Sequence, residues 1–600
     1  MEVQIQEKEP KPAISTRAIL LGAFISVICS AIHGYTSINM GWSFSYGAIV
    51  IIIGYTLFHR IQGGSSRSEL SFLLITTVSQ MGVYQTLGLI LYTLETEPLA
   101  YLPTWIAPAE EIIQAKDLSL RYWIAPIGFL AFGLMVSLTA GLIYFTILRD
   151  KLNESPKMIW PTQSANTKLI DACMEGGSSA RLVAYAAAVG FTITLLQSVL
   201  AAWGTDLTMI DLSSHLPPGY ILVISLSIGF ISIGYLISPK TSLSLLGSGL
   251  VSYLVITPAL VERGLLEATG DTMALYNDYM INYSMGPAIG ILLLGGILLS
   301  ILTLIKKKRK EKESIEDEAE TGYLEIYKAL LEGLLGNRKY LTIITVIFFS
   351  LTVIAYFLNP FKPLSPFFAV AFTIYSFWIA GFMEMIFIIR MQGETGIGMG
   401  IASKLLYHTP IFASGYRAFT GYFIYSYLRP NPWVGAGVLP YYKYREETGL
   451  RWRDIIVANL TGRLPTFIFS VFLTLILWKY VGFGTQTMPA VGLIQSKVYF
   501  TMLATGNIST VMNPVTFIAG GLIGALLEVF TPVSMMGLGM GLLFPPHYII
   551  PFGVGGIIRI ITERKYGKEF YAEKGRLIVT GLMASGLIVQ VATTILQGLL

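Results

Sequence analysis

Residues 365–389 read SPFFAVAFTIYSFWIAGFMEMIFII, a run whose one charged side chain is Glu384. As a helix it is about 37 Å long, more than the ~30 Å hydrocarbon core of a bilayer. Polar and apolar residues do not alternate along it, so it reads as a helix and not as a strand of a membrane barrel. The rest of the chain repeats the pattern. Of 600 residues, 54% are hydrophobic and 13% charged, about half the charge of a soluble domain. Mean hydropathy is +0.63. An ordinary cytosolic enzyme, a nucleic-acid binder and a disordered chain are excluded. Cys29 and Cys173, the two cysteines, give no disulfide framework and no Cys-based zinc site. The composition predicts an all-α polytopic membrane protein, and hence a transporter, a channel or an intramembrane enzyme.

Eight spans are expected before residue 306: 18–38, 43–58, 70–95, 122–148, 181–203, 220–238, 241–262 and 284–305. The first 17 residues are mixed in charge and no small-residue cleavage site follows the first apolar run, so no cleavable signal is read there. Arg149, Lys151, Lys157, Lys168 and Arg181 crowd one loop, and Lys306 to Lys310 another. Loops around 96–120, 204–219 and 264–283 are acidic or neutral. Alternation through eight spans fits all of them with the N-terminus in the cytoplasm of a multi-pass cell-membrane protein.

The halves 1–305 and 341–600 are separated by a charged cytoplasmic linker, 306–340. Within it KKKRKEKESIEDEAE is self-paired and solvated. Leu324, Tyr327, Leu331 and Leu334 then recur at helical spacing, as in an amphipathic helix on the inner membrane face; a plain connector is the other reading. The second half has clear spans at 341–358, 365–389, 464–481 and 577–598. Between 393 and 440, and between 498 and 563, Gly, Pro and charge interrupt the apolar character. Broken helices at membrane depth persist where they are buried in protein or line a wet cavity, and carriers use them as binding sites.

An echo joins the halves. PKTSLSLLGSGLV places Gly249 ten residues after Pro239, and PHYIIPFGVGGII places Gly556 ten residues after Pro546. Gly247 and Gly555 lie beside these positions. A duplicated architecture with broken helices near the midplane is expected, of direct or inverted orientation.

Three segments carry a resemblance. GLLFPPHYIIPFGVGGII at 541–558, followed by a basic loop and YAEKGRLIVTGLMASGLI at 571–588, resembles the C-terminal end of the oligopeptide transporter superfamily. That superfamily includes peptide transporters and the yellow-stripe-like carriers of metal chelates. ILRDKLNESPKMIWPTQSANTKLIDACMEGG at 147–177 and GETGIGMG at 393–400 resemble its basic loop and its Gly-rich turn. The chain departs from the pattern at Trp160-Pro161-Thr162-Gln163 and at Val589-Gln590, losing a carboxylate at each, as a divergent prokaryotic or archaeal member would. The resemblance implies about 16 transmembrane helices and proton-coupled uptake of short peptides or metal–chelator complexes.

Ionisable groups in the hydrocarbon cost roughly 2.5–3.5 kcal/mol on insertion scales and need a reason. Glu384 is the first choice for a proton site, with Glu528 in GGLIGALLEVFTPV and His33 in CSAIHGYTS as further candidates. The alternatives are pairing to another helix or reaching toward the interface for Glu384, a place near an interface for Glu528 and a hydrogen-bonded structural residue for His33. Candidate substrate contacts are Gln80, Gln85, Thr395, Gly396, Asn507, Asn513, His547 and Tyr548. Neutral amides bond a peptide backbone without selecting its side chains, and a helix start offers N–H groups to a carboxylate. Gln197 is a further amide at span depth.

No HExxH, Gly-x-Gly-Asp, Gly-x-Ser-x-Gly or Walker A motif is present, which disfavours an intramembrane enzyme and an ATP-driven pump. The leading expectation is a proton-coupled oligopeptide carrier. A metal-chelate carrier is the runner-up, its metal arriving already chelated, since no ligand cluster appears. A channel is a remoter reading. No catalytic residues, resident metal, cofactor or nucleic-acid partner is expected. The partners are an oligopeptide or chelated-metal substrate, protons and the lipid bilayer, with a homo-oligomer left open.

Overall fold

The computed structural model describes residues 14–583 except 41–46, 63, 80–82, 98–100, 154–159, 204–206, 208–209, 269, 296–297, 299–322, 396–399, 428–436, 486–487, 489 and 507–512. It is an all-α polytopic membrane fold. Among the described residues seven helices are long and apolar enough to cross a membrane, Leu120–Arg149, Pro366–Ile389 and Trp452–Tyr480 being three of them.

The N-terminal part runs through α1 (Thr16–Met40), α2 (Gly47–Gln62), α3 (Arg67–Val78), α4 (Tyr84–Thr96), α5 (Leu120–Asn153), α6 (Pro161–Glu175) and α7 (Gly177–Ala202). Then come α8 (Ile228–Leu236), α9 (Pro239–Val251) and α10 (Thr272–Tyr279). Within the expected linker lies α11 (Tyr323–Gly336), followed by α12 (Arg338–Leu358), α13 (Pro366–Ile374), α14 (Gly381–Thr395), α15 (Gly400–Ala413) and α16 (Phe419–Tyr427). The chain continues with α17 (Trp452–Tyr480), α18 (Val491–Thr505), α19 (Pro514–Phe530), α20 (Met535–Leu543) and α21 (Pro546–Tyr566).

Two expected spans of the first half differ. The span 70–95 is two helices, because α3 ends at Val78 and α4 starts at Tyr84. The Val83 N–H, which a continuous helix would use internally, donates instead to Ser470 Oγ at 3.1 Å. The span 220–238 is helical only over α8; before it lies a two-residue antiparallel ladder pairing Ile210 with Ile224 and Asp211 with Val223. Pro217 and Pro218 precede that extended stretch and oppose a helix there. In α11 the buried stripe is Ile326, Leu330 and Leu334, while Leu331 and Leu335 are exposed. Residues 306–320 lie outside the described ones.

The echo is a structural repeat. Each copy is a helix broken before a proline: α8 to α9 at Ser238-Pro239, and α20 to α21 at Pro545-Pro546. Proline is well placed in a first helical turn, where no N–H is needed. The two broken helices pack on each other with reciprocal contacts. Gly234 lies against the Phe552 carbonyl, and Gly541, 307 residues on, lies against the carbonyl of Leu245, itself 307 residues before Phe552. Likewise Gly249 faces Ile549 and Gly556 faces Ser242. Such self-complementary pairing is the signature of a two-fold axis. Along α9 and α21 the partners run in opposite directions: Ser242 with Gly556, Leu246 with Gly553, Gly249 with Ile549. The axis is therefore perpendicular to the helices, and a bilayer crossed by both copies carries them in inverted orientation. Gly247, by contrast, has nothing near it.

The carbonyls freed at the two breaks are capped in matching fashion. Ile237 O accepts from Arg559 Nη1 at 2.9 Å, and its equivalent Phe544 O accepts from the Tyr253 hydroxyl. Leu236 O accepts from Tyr571 Oη and its equivalent Leu543 O from Tyr276 Oη, both at 2.8 Å. Buried backbone oxygens left bare would cost about 1–3 kcal/mol each, so these phenols and the guanidinium hold the breaks open.

Candidate functional site

Glu384 is fully buried in α14. A π-helical turn at Tyr375–Ala380 precedes it, and such turns re-aim the side chains that follow. The Tyr407 hydroxyl of α15 donates to Glu384 Oε2 at 2.7 Å. The next residue, His408, is also fully buried. Its Nδ1 meets the Tyr499 hydroxyl of α18 at 2.8 Å and its Nε2 meets the Ser426 hydroxyl of α16 at 2.7 Å. Tyr407 stacks on Tyr425, and the His408 ring on Tyr499. α14, α15, α16 and α18 thus converge on buried groups able to hold and pass protons, inside an aromatic core.

A second polar cluster adjoins the α3–α4 break. Arg463 lies eleven positions into α17, about 17 Å from that end and about 26 Å from the other. Its Nε donates to Asn459 Oδ1. Asn459 Nδ2 donates to Ser79 Oγ at 2.9 Å, and Ser79 Oγ to the Tyr441 hydroxyl at 3.3 Å. Ser79 is the last described residue before the α3–α4 break. Gly462 packs directly on the Thr76 carbonyl one turn earlier, so no side chain fits there. Pro465 lies inside α17 and leaves the Thr461 carbonyl without its helical N–H.

The resemblance segments meet this cluster. Tyr444, stacked on Tyr441, accepts from Asn166 Nδ2 of α6 at 3.0 Å. The first residue before α6, Trp160, takes a left-handed backbone with φ 47 and donates its N–H to Gly393 O at 2.9 Å. Gly393 and Trp160, and Asn166, Tyr444, Tyr441 and Ser79, are therefore linked in space although far apart in sequence. At its far end α6 is held by Arg67, which pairs with Asp171 at 3.1 Å and with Glu175. Burial raises the Asp171 carboxyl above its ordinary range, against the pull of Arg67 and Lys168. Burial also pushes the Cys173 thiol up to about 11.

The sequence-derived candidates separate. Glu528 pairs with Lys240 at 3.1 Å, and its second oxygen accepts the Met535 N–H at 2.5 Å. It ties α19, α9 and α20 together. Asn513 is exposed and caps α19 through Val515 N–H at 2.9 Å. His547 and Tyr548 open α21, where Tyr548 rests on Phe230 with ring centroids 4.2 Å apart. His33 is half-buried in α1, beside Gly34, which packs on the Tyr84 ring; Gln85 follows Tyr84 in α4. Thr395 ends α14, and the expected non-helical stretch 393–400 is helical up to that residue. Gln80, Gly396 and Asn507 lie outside the described residues. Gln197 Nε2 donates to Leu226 O at 2.9 Å, a helix-to-loop tie.

Arg463, Asn459, Tyr407 and His408 were missed by the sequence reading. Arg463 is the nearest miss: the expected span 464–481 begins one residue after it, whereas α17 starts at Trp452. Pro465 just beyond it was the available signal. His408 lies in SKLLYHTPIF, between a Lys and a Pro, within the region read only as broken.

Between α5, α12, α13 and α16 an apolar groove of about 480 Å³ is lined by Phe129, Phe132, Leu351, Ala355 and Tyr425. It offers no charge to a zwitterionic ligand.

No curated protein matches the chain. A family model, the OPT oligopeptide transporter protein, matches residues 13–597, nearly the whole length. The two-fold-related broken helices and buried polar clusters at span depth are thus parts of a membrane transporter, and the chain belongs to the OPT oligopeptide transporter family.

Proposed function

We propose that this transporter takes up short oligopeptides by alternating access, coupled to the proton gradient. The observation that carries the coupling is Glu384, a fully buried carboxylate with a tyrosine donor, in an apolar membrane helix. Burial penalises its charged form, so a proton bound there neutralises the helix and lets it move through a low-dielectric interior. The Tyr407 hydroxyl stabilises the charged form when the proton has left. Inverted repeats supply the two-way rocking, as is common among secondary carriers.

In this reading the halves 1–305 and 341–600 move about the linker 306–340. The N-terminus, the loop 149–180 and the linker face the cytoplasm of the cell membrane. Among the described residues Gln85 is the amide that this reading assigns to the substrate path. The test is uptake in proteoliposomes of labelled di- to hexapeptides, with and without an imposed proton gradient. Gradient-driven peptide accumulation supports the reading, and gradient-independent equilibration removes the proton. A metal-chelate carrier is the second reading. Neutral amides do not choose between a peptide backbone and the carboxylate shell of a chelate, and a labelled iron chelate in the same vesicles separates the two.

A further inference from the structure

We propose that Glu97 and Lys497 form a gate: an ion pair that holds α18 against α4 and, while closed, keeps the His408 cluster covered. α18 has two working sides. Leu493, Lys497 and Thr501 recur every four residues and so share one side of the helix. That side meets α4 in step. Leu493 packs on Gly88, and the Lys497 ammonium lies 5.8 Å from the Tyr92 ring centroid. At the end of α4 the same ammonium donates to Thr96 O at 3.1 Å and pairs with Glu97 Oε2 at 3.7 Å. The Thr501 hydroxyl donates to that oxygen at 3.4 Å. Another side of α18 presents Tyr499 to His408 of α15, and Phe500 to Phe423 of α16 with ring centroids 4.7 Å apart. α18 thus stands between α4 of the first half and the buried polar groups of the second.

Three observations mark the α4–α18 seam as the one that opens. Lys497 is the one charged side chain of α18, and it is directed at α4. The two ionic side chains are 19% and 15% exposed. At that depth the attraction of a pair is largely offset by lost hydration, so the pair fixes a geometry yet separates once water reaches it. Second, left-handed residues flank α18, Ala490 with φ 53 and Gly506 with φ 85, which makes it a rod between two sharp turns. Third, α4 is fastened on its other side. Glu95 pairs with Lys116 at 3.1 Å, and the Lys116 ammonium also donates to Trp478 O of α17 at 3.3 Å. α18 is therefore the partner that moves. Lys497 and Tyr499 are two residues apart on one rod, so an α18 that leaves α4 shifts the Tyr499 hydroxyl off His408. The gate requires a transporter and requires neither the peptide nor the proton of the reading above.

The test is thiol labelling of Leu493→Cys in the purified full-length protein in nanodiscs, in a background lacking Cys29 and Cys173. The probe is a water-soluble methanethiosulfonate reagent, with no substrate and no gradient. Position 493 is buried against Gly88 while the seam is shut. Labelling is expected to be slow with Glu97 and Lys497 intact. Glu97→Gln or Lys497→Gln should speed it at least about fivefold, the population shift from losing one ion pair. Glu97→Lys combined with Lys497→Glu should restore slow labelling. A control at Ala458→Cys, buried in α17 far from the seam, should label at one slow rate throughout. Equal labelling of Leu493→Cys in every background overturns the gate. So does a charge-reversed pair that labels as fast as the single variants, or an acceleration shared by Ala458→Cys, which marks general loosening. Should one single variant fail to fold, the other decides. A carrier that proves independent of protons leaves all of these expectations in place.

Discussion

Lys240 Nζ and Glu528 Oε1 meet at 3.1 Å, joining α9 of the first repeat to α19 of the second half. The same carboxylate takes the first N–H of α20. Its two oxygens are thus engaged in holding the repeats together. Glu528→Ala is expected to lower stability by about 1–3 kcal/mol, since it bares a helix terminus and a cation. Lys240→Met costs less, because Lys240 is the more exposed partner. Thermal melts of both variants and the double variant measure the coupling; additive effects would mean that the pair contributes nothing. Glu528→Gln should keep gradient-driven accumulation, and its loss with normal melting would move the proton site here.

Glu384→Gln mimics the protonated carboxyl in shape. The variant is expected to lose gradient-driven accumulation yet to exchange substrate across the membrane at a rate near that of the wild type. Tyr407→Phe, which removes the donor to Glu384, is expected to reduce gradient-driven accumulation. Wild-type accumulation in Glu384→Gln would return this residue to a structural role.

The packed glycines divide sharply. Gly555 abuts the Ile231 carbonyl, backbone against backbone, so no side chain can yield. Gly555→Val is expected to cost more than the usual ~1–3 kcal/mol of overpacking and to abolish expression of folded protein. Gly247, with open space around it, should accept alanine without loss. Size-exclusion profiles of the two variants check this.

How the chain reads explains which parts were visible beforehand. Runs such as 365–389 are legible because a bilayer demands about 20 apolar residues wherever a helix crosses it. The repeat was legible at Pro239 and Pro546, because a break before proline leaves a local mark. Its orientation was not, since direct and inverted copies share one spacing; the antiparallel run of contacts from Ser242 to Gly249 decides it. Glu384 stood out as a lone charge among apolar neighbours. Arg463 did not, because it depends on Asn459, Ser79 and Tyr441, which only the fold brings together.

An inverted repeat puts the connection after α9 and the connection after α21 on opposite sides of the membrane. Single cysteines replacing Ala268 and Lys568, in a background lacking Cys29 and Cys173, should react with an impermeant thiol reagent from opposite faces. Ser314→Cys should share the side of Lys568→Cys. Labelling of all three from one face would refute the inverted arrangement.

In the wild-type chain Cys173 should react slowly. With its thiol raised to about 11, its thiolate fraction at neutral pH is about a hundredfold below that of a free cysteine. Maleimide labelling in detergent should therefore accelerate about tenfold per pH unit through the alkaline range. Fast labelling at pH 7 would show that α6 leaves its seat.

The capped breaks carry a consequence for direction. Two identical inverted copies would give inward-open and outward-open forms of equal energy, and the resting molecule would divide evenly between them. Here one break is closed by the permanent charge of Arg559 and the other by the neutral phenol of Tyr253. Just past the breaks stand Lys240 in one copy and His547 in the other. The two copies thus differ in charge at their breaks, so in the proposed alternating-access cycle the inward-open and outward-open forms are expected to differ in energy.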